Sequence, residues 1–182
     1  MTGPGALQAQ LIAKCKQKDR KAQMQLYNLY CDAMYRTAYT FVRQEAVAED
    51  LMQDAFIKAF SKLDMFDGKS SFGSWLKKIV VNQCLDWLKK RKLQVVSIED
   101  SHNELSDESD WKVQDSISTE QVLEAIEKLA DNYKTILKLY LLEGYDHTEM
   151  AEILGITEVN SRSQLHRAKN KLKELLKPYQ YA

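Results

Sequence analysis

The chain has 182 residues, 29% of them charged and 45% hydrophobic, which suits one large or two small domains. Lysine plus arginine equals aspartate plus glutamate at 26 each, so neutrality of the whole excludes a uniformly basic or acidic protein. Cys15, Cys31 and Cys84 stand far apart with no Cys-x-x-Cys pair, which argues against a disulfide framework or thiolate zinc site and for a reducing, cytosolic setting.

The terminus Met-Thr-Gly-Pro-Gly has no apolar run, so no secretory signal is read there. No apolar stretch reaches the roughly 18 residues of a membrane span, and a soluble, intracellular protein without membrane insertion is expected. Divided along the chain, the charge is uneven. Residues 1–96 carry a net +7, residues 97–124 a net −8, and 162–177 a net +5. That asymmetry points to nucleic-acid contact from both ends and not from the middle.

Leu7, Leu11, Ile12 and Cys15 predict a first helix from about Ala6 to Lys16. A second, about Lys21 to Val42, carries Met24, Tyr27, Leu29, Tyr30, Met34, Tyr35, Ala38, Tyr39 and Phe41, and its tyrosines are read as core. The third, about Ala46 to Leu63, has two faces. Val47, Leu51, Ala55, Phe56, Ala59, Phe60 and Leu63 point inward, and Glu49, Asp50, Gln53, Asp54 and Lys58 outward. The mostly acidic outer strip is a poor DNA surface and a good one for a basic protein partner.

Asp64 to Ser71 is a loop marked by Gly68, and Ser70 or Ser71 is placed to cap a fourth helix from about Phe72 to Lys92. Its inward residues are Trp75, Leu76, Ile79, Val80, Leu85 and Leu88; Lys77, Lys78, Asn82, Gln83, Lys89, Lys90, Arg91 and Lys92 face out. A loop with an exposed aromatic before a basic helix bearing Asn and Gln can hold a phosphate backbone and take unstacked bases. Phe66 is the stacking candidate, while Trp75 is assigned to the core.

From Leu93 to about Asp115 the pattern dissolves into Ser, Glu, Asp, Asn and His, a flexible acidic linker with Trp111 as a docking point. Ser118 and Gln121 form a capping box opening a fifth helix to about Leu129, with Val122, Ile126 and Leu129 buried. Asp131 is read as the cap of a sixth through Leu142, with Ile136, Leu137, Leu139, Tyr140 and Leu141 as its apolar residues. The expected architecture is all-α: two small helical domains, 1–92 and 116–182, joined by the linker 93–115.

The second domain closes on a helix-turn-helix pattern. Asp146 with Glu149 predicts a capping box, Met150, Ala151, Ile153 and Leu154 an apolar face, and Gly155 a left-handed stop. Thr157 is placed to cap the next helix, with Glu158 at its positive end. That helix carries Arg162, Arg167, Lys169, Lys171, Lys173 and Lys177 against Glu174, the bias a groove lined by phosphates requires. Its outward stripe, Asn160, Arg162, Ser163, His166 and Arg167, is the candidate reading surface; Leu165, Ala168 and Leu172 face the core. His102, His147 and His166 fall into no triad or metal spacing, and no phosphate-binding glycine loop occurs, so no enzyme, metal or cofactor is expected. A duplex-binding transcriptional regulator, with the first domain sensing or dimerising, also accommodates the helix-turn-helix.

Three segments resemble bacterial RNA polymerase sigma factors of the extracytoplasmic-function (ECF) group. Residues 48–60, Ala-Glu-Asp-Leu-Met-Gln-Asp-Ala-Phe-Ile-Lys-Ala-Phe, resemble the core-polymerase-binding helix. Phe72, Trp75, Leu76, Ile79, Asn82, Asp86 and Lys89 to Arg91 are spaced as in the promoter-melting helix, and 144–169 resemble the second-domain helix-turn-helix. The resemblance implies that Glu49, Asp50, Gln53 and Asp54 meet the coiled coil of the polymerase's largest subunit. It implies that the 64–71 loop with Phe66, Lys69 and Asn82 captures a flipped base of the −10 element, with Lys77, Lys78, Lys89, Lys90 and Arg91 on phosphates. It further implies that the helix from Glu158, with Lys169, enters the −35 major groove and that the linker threads the RNA exit channel. The polymerase flap and an anti-sigma factor are further implied partners. Where the family has Gly-Thr-Val and a basic residue, this chain has Val159, Asn160, Ser161 and Arg162, and Gln164 replaces a common Arg, so promoter sequence does not transfer.

Overall fold

A computed structural model describes residues 4–93 and 117–180, with side chains over 7–91 and 117–179. Leu93, the first residue of the proposed linker, instead ends α4; the rest of the linker, with Trp111 and His102, lies outside the described residues. Among the described residues the chain is all-α and divides into two compact units, 1–97 and 98–182.

The first unit comprises α1 (Pro4–Lys16), α2 (Arg20–Val42), α3 (Glu45–Ser61), a 3-10 turn (Leu63–Met65) and α4 (Phe72–Leu93). Asp19 starts α2, its Oδ1 accepting from the Lys21 and Ala22 N–H groups at 2.8 and 3.1 Å. Arg43, left-handed at φ 53°, ends α2 as its N–H bonds the Tyr39 carbonyl. Helix α2 packs against both α3 and α4. Ala38, Ala48, Ala55 and Ala59, all 0% exposed, let the backbones approach, and Leu26, Phe56, Leu76 and Val80 fill the space between. Each such large side chain contributes roughly 1.5–3 kcal/mol of burial.

One expectation for α2 is corrected. The inward face runs through Leu26, Met34, Ala38 and Phe41, which leaves Met24 and Leu29 59% and 66% exposed. Tyr27, Tyr30, Tyr35 and Tyr39, read from the sequence as core, are half-buried. Tyr27 lies against Phe56 with centroids 4.7 Å apart, Tyr30 against Phe72 at 5.4 Å, and Tyr35 stacks on Tyr39 at 6.2 Å.

The second unit comprises α5 (Thr119–Glu127), α6 (Asp131–Leu137), a π-helical turn (Lys138–Leu142), α7 (His147–Leu154), α8 (Glu158–Leu176) and a 3-10 turn (Lys177–Gln180). The Ser118/Gln121 box forms as expected. Asp131, by contrast, is the first residue of α6 and not its cap; Ala130 holds the cap position and Asp131 sits at 3.8 Å from Lys134.

The sixth helix also does not run to Leu142 in one register. The Glu143 N–H bonds the Lys138 carbonyl five residues back, at 3.1 Å, which makes a π turn. The added residue keeps Leu139 fully buried while turning Tyr140, Leu141 and Leu142 outward at 36%, 36% and 41% exposure. At the start of this turn Lys138 is only 2% exposed, and its Nζ lies 2.7 Å from Glu127 Oε1 on α5. Gly144, at φ +74°, lets the chain reverse so that the Tyr145 N–H bonds the Leu139 carbonyl at 3.1 Å.

Candidate nucleic-acid interface

Helix α7 starts on Asp146, whose Oδ1 accepts from the Glu149 N–H at 2.8 Å while Glu149 Oε2 accepts from the Asp146 N–H at 3.0 Å. It stops at Gly155, left-handed at φ 68°. Two residues on, Thr157 Oγ1 accepts from the Asn160 N–H at 3.2 Å and starts α8. Ser161, Leu165, Ala168, Leu172 and Leu176 form the buried stripe of α8 at helical spacing, and Met150, Ala151 and Ile153 face them from α7. Ser161 is 0% exposed, and its Oγ and His147 Nδ1 share a hydrogen bond of 3.0 Å that ties the two helices together.

With that stripe turned inward, Asn160 and Arg162 stand exposed on the first turns of α8. Ser163, His166 and Arg167 are half-buried along the edge of the same face. His166 Nε2 is 2.9 Å from Asn170 Nδ2, and the Arg167 Nε is enclosed without a hydrogen bond. Lys169 turns away from this face: its Nζ lies 4.5 Å from the Tyr140 ring centroid, and the same ring stacks on His147 at 6.0 Å. Two exposed residues at the tip were not singled out as readers from the sequence. Val159 is 61% exposed, and an apolar residue two places after a helix cap is a signal the sequence contains. Glu158 accepts from Thr148 Oγ1 at 3.0 Å and pairs with Arg162 Nη2 at 3.5 Å.

In the first unit, Ser71 starts α4, its Oγ accepting from the Ser74 N–H at 3.0 Å. The preceding loop is held to α1 and braced within itself. Lys16 Nζ donates to the Phe66 carbonyl at 3.2 Å, and Asp67 accepts from the Lys69 N–H at 3.1 Å while pairing with Lys69 Nζ at 3.0 Å. The bond from the Lys69 N–H, followed by its side chain, holds the Asp67 carboxyl below its ordinary range. Phe66 is not the exposed aromatic the sequence suggested. It is half-buried, with its ring 5.8 Å from Phe72 and 5.4 Å from Trp75, because three aromatics within ten residues pack on one another before solvent. Met65, 72% exposed, is the apolar side chain the loop presents. Trp75 is half-buried in that cluster.

Along α4, Lys77, Lys78, Asn82 and Gln83 are half-buried, while Lys89, Lys90 and Arg91 are exposed, with Arg91 5.5 Å over the Trp87 ring. On α3, Glu49, Asp50, Gln53 and Asp54 are all exposed, and Gln53 Nε2 donates to Glu49 Oε1 at 3.2 Å. Ile57, 68% exposed, continues that face one turn on. The acidic face and the basic end of α4 thus sit on one unit, and the α8 tip on the other. Among the described residues no helix is long and apolar enough to cross a membrane.

Family comparison matches both units. Sigma-70 region 2 matches residues 26–94, and Sigma-70, region 4, matches residues 119–172. The ECF RNA polymerase sigma factor SigM of Bacillus subtilis is 29% identical over 83% of this chain and 93% of its own length. SigW of the same organism is 27% identical over 91% of this chain and 95% of its own. Among solved structures, the sigma factor RpoE of Bartonella quintana, in complex with the anti-sigma factor NepR, superposes with a TM-score of 0.59 at 27% identity, covering 85% of this chain and 96% of that one. With both regions present, in order, and relatives matched nearly end to end, the chain belongs to the sigma-70 family as an ECF RNA polymerase sigma factor.

Proposed function

We propose that this sigma factor confers promoter recognition and DNA opening on RNA polymerase through four surfaces, without bond chemistry of its own. The observation that carries the assignment is the exposed, capped tip of α8, where Asn160 and Arg162 project beyond a fully buried inner stripe. That tip enters the major groove of the upstream (−35) element, with Ser163, His166 and Arg167 along its edge and Lys169 held back by Tyr140. The 64–71 loop and Asn82 take an unstacked base of the −10 element, with Lys69, Lys77, Lys78, Lys89, Lys90 and Arg91 supplying phosphate contacts. Phe66 serves there by shaping the loop through Phe72 and Trp75.

Glu49, Asp50, Gln53 and Asp54 face a basic coiled coil of the polymerase's largest subunit, and the exposed Leu141 and Leu142 suit the flap. Domain roles follow: 1–92 for core and −10 binding, 116–182 for −35 binding, and 93–115 as the acidic connection through the RNA exit channel. An anti-sigma factor is a further partner, as RpoE has in NepR. As a subunit acting with RNA polymerase, the protein is cytoplasmic in this reading. A duplex-binding regulator that acts without polymerase is disfavoured, because it has no use for a region 2 unit.

Run-off transcription with purified core polymerase tests the assignment. A promoter-specific transcript that requires this protein is expected; tight duplex binding with no transcript returns the regulator reading.

A further inference from the structure

The start of α8 carries an acidic side chain where a DNA-facing helix is otherwise basic. Glu158 is held in place from two directions: Thr148 on α7 donates to Oε1 at 3.0 Å, and Arg162, one turn along α8, lies 3.5 Å from Oε2. The side chains are 47% and 53% exposed, so both remain open at the tip. Beside phosphates a carboxylate is repelled, unless it meets a hydrogen-bond donor on a base edge. The major groove offers two such donors, cytosine N4 and adenine N6. The neighbouring guanidinium decides between them. Its contact with Glu158 is an ion pair from Nη2 at 3.5 Å, which leaves donors of the guanidinium fork for the O6 and N7 acceptors of guanine, the partner of cytosine.

Resting on the assignment of α8 as the DNA-reading helix, we propose that Glu158 and Arg162 read one C·G base pair of the upstream element as a unit. Glu158 accepts from cytosine N4, and Arg162 donates to guanine O6 and N7. Thr148 fixes the carboxylate, so its acceptor faces the groove before DNA arrives, and the pair's internal neutrality removes most of its phosphate attraction. The pair therefore acts on base choice and little on overall affinity.

The competing account makes Glu158 a helix-start residue only, favoured by the positive end of α8. The two accounts separate in base preference. Holoenzyme assembled with the intact chain selects from a library randomised over the upstream element, and the bound sequences are counted. Glu158→Met and Arg162→Ala each lower C·G enrichment at the same single position by roughly tenfold, the scale of one good base contact, and leave the other positions unchanged. Glu158→Met keeps the side chain's length and removes the acceptor, and Arg162→Lys, which keeps the charge and loses the fork, shows the same loss. A Glu158→Met profile identical to wild type, with affinity raised alike for every sequence, overturns the pair while leaving the helix assignment standing. No upstream enrichment even with the wild-type chain, despite core binding, overturns both.

Discussion

The buried Lys138 gives the second unit an asymmetric response to mutation. Its ammonium is 2% exposed and rests 2.7 Å from Glu127 Oε1, while Lys134 lies 3.6 Å from Glu127 Oε2. Replacing Glu127 with Ala leaves the buried ammonium without its nearest carboxylate, a change that costs about 3–5 kcal/mol when a buried pair is broken from one side. Because Glu127 is itself 33% exposed, the lower end, about 3 kcal/mol, is the expected cost. Lys138→Met is the opposite case: the stem's volume is kept, the ion is removed, and Glu127 retains Lys134 and solvent, so stability should change by less than about 1 kcal/mol. Amide hydrogen exchange by mass spectrometry, on the full chain, reads this locally. Protection of α5, α6 and α8 peptides should fall roughly 100-fold in Glu127→Ala and stay near wild type in Lys138→Met. Equal losses in the two variants would refute the account of the pair as a desolvated ion with one principal carboxylate.

Three further outcomes are expected. Burial, followed by the nearby Glu143 and Glu149 carboxylates, pushes the Tyr145 phenol well above its ordinary range. Its raised folded pKa gives a contribution that is complete below about pH 10 and lost as pH rises further; Tyr145→Phe should therefore remove a loss of about 1.4 kcal/mol per pH unit, seen as a difference from wild type in urea melts followed by circular dichroism. A Cβ at Gly73 would lie 2.9 Å from Tyr30 Cε1, whose ring packs on Phe72 and whose hydroxyl is bonded by Gln8. Gly73→Ala gains about 1 kcal/mol of helix propensity and loses about 1–3 kcal/mol to overpacking, so tryptophan fluorescence in urea should show a net loss near 1 kcal/mol; a more stable variant would mean the ring moves freely. Asp54→Lys should weaken core-polymerase binding in a pull-down at least tenfold, with duplex binding by the second unit unchanged, because it reverses an exposed charge of the acidic α3 face. Equal defects in both assays would break the division of roles.

The elements that were legible in the sequence are those set by local hydrogen bonds. Asp146 with Glu149, Ser118 with Gln121, Thr157 and Gly155 all do in space what their spacing suggested, since a cap needs only three or four consecutive residues. The π turn escaped because Ile136 to Leu142, interrupted only by Lys138, is apolar on every side, and such a run carries no periodicity to show where register changes. Lys138 was then invisible as a buried charge, its carboxylate lying eleven residues upstream on another helix.

At the candidate site, the acidic α3 face could be read from periodicity alone. The division within α8 could not. Arg162 and Lys169 look equivalent as basic residues, and only Tyr140, displaced outward by the π turn, separates the exposed one from the one drawn inward. Phe66 was misplaced for a similar reason: a loop aromatic is taken as exposed until its neighbours Phe72 and Trp75 are seen to enclose it.

The central claim is that this chain, once on core polymerase, opens duplex DNA at a defined distance from a recognised upstream element. Permanganate footprinting on a promoter obtained by selection measures both features at once. Thymines downstream of the bound element should become reactive only with core polymerase and this protein together. Equal reactivity with core alone, or protection of the upstream element with no reactive thymines in the complex, would contradict the account.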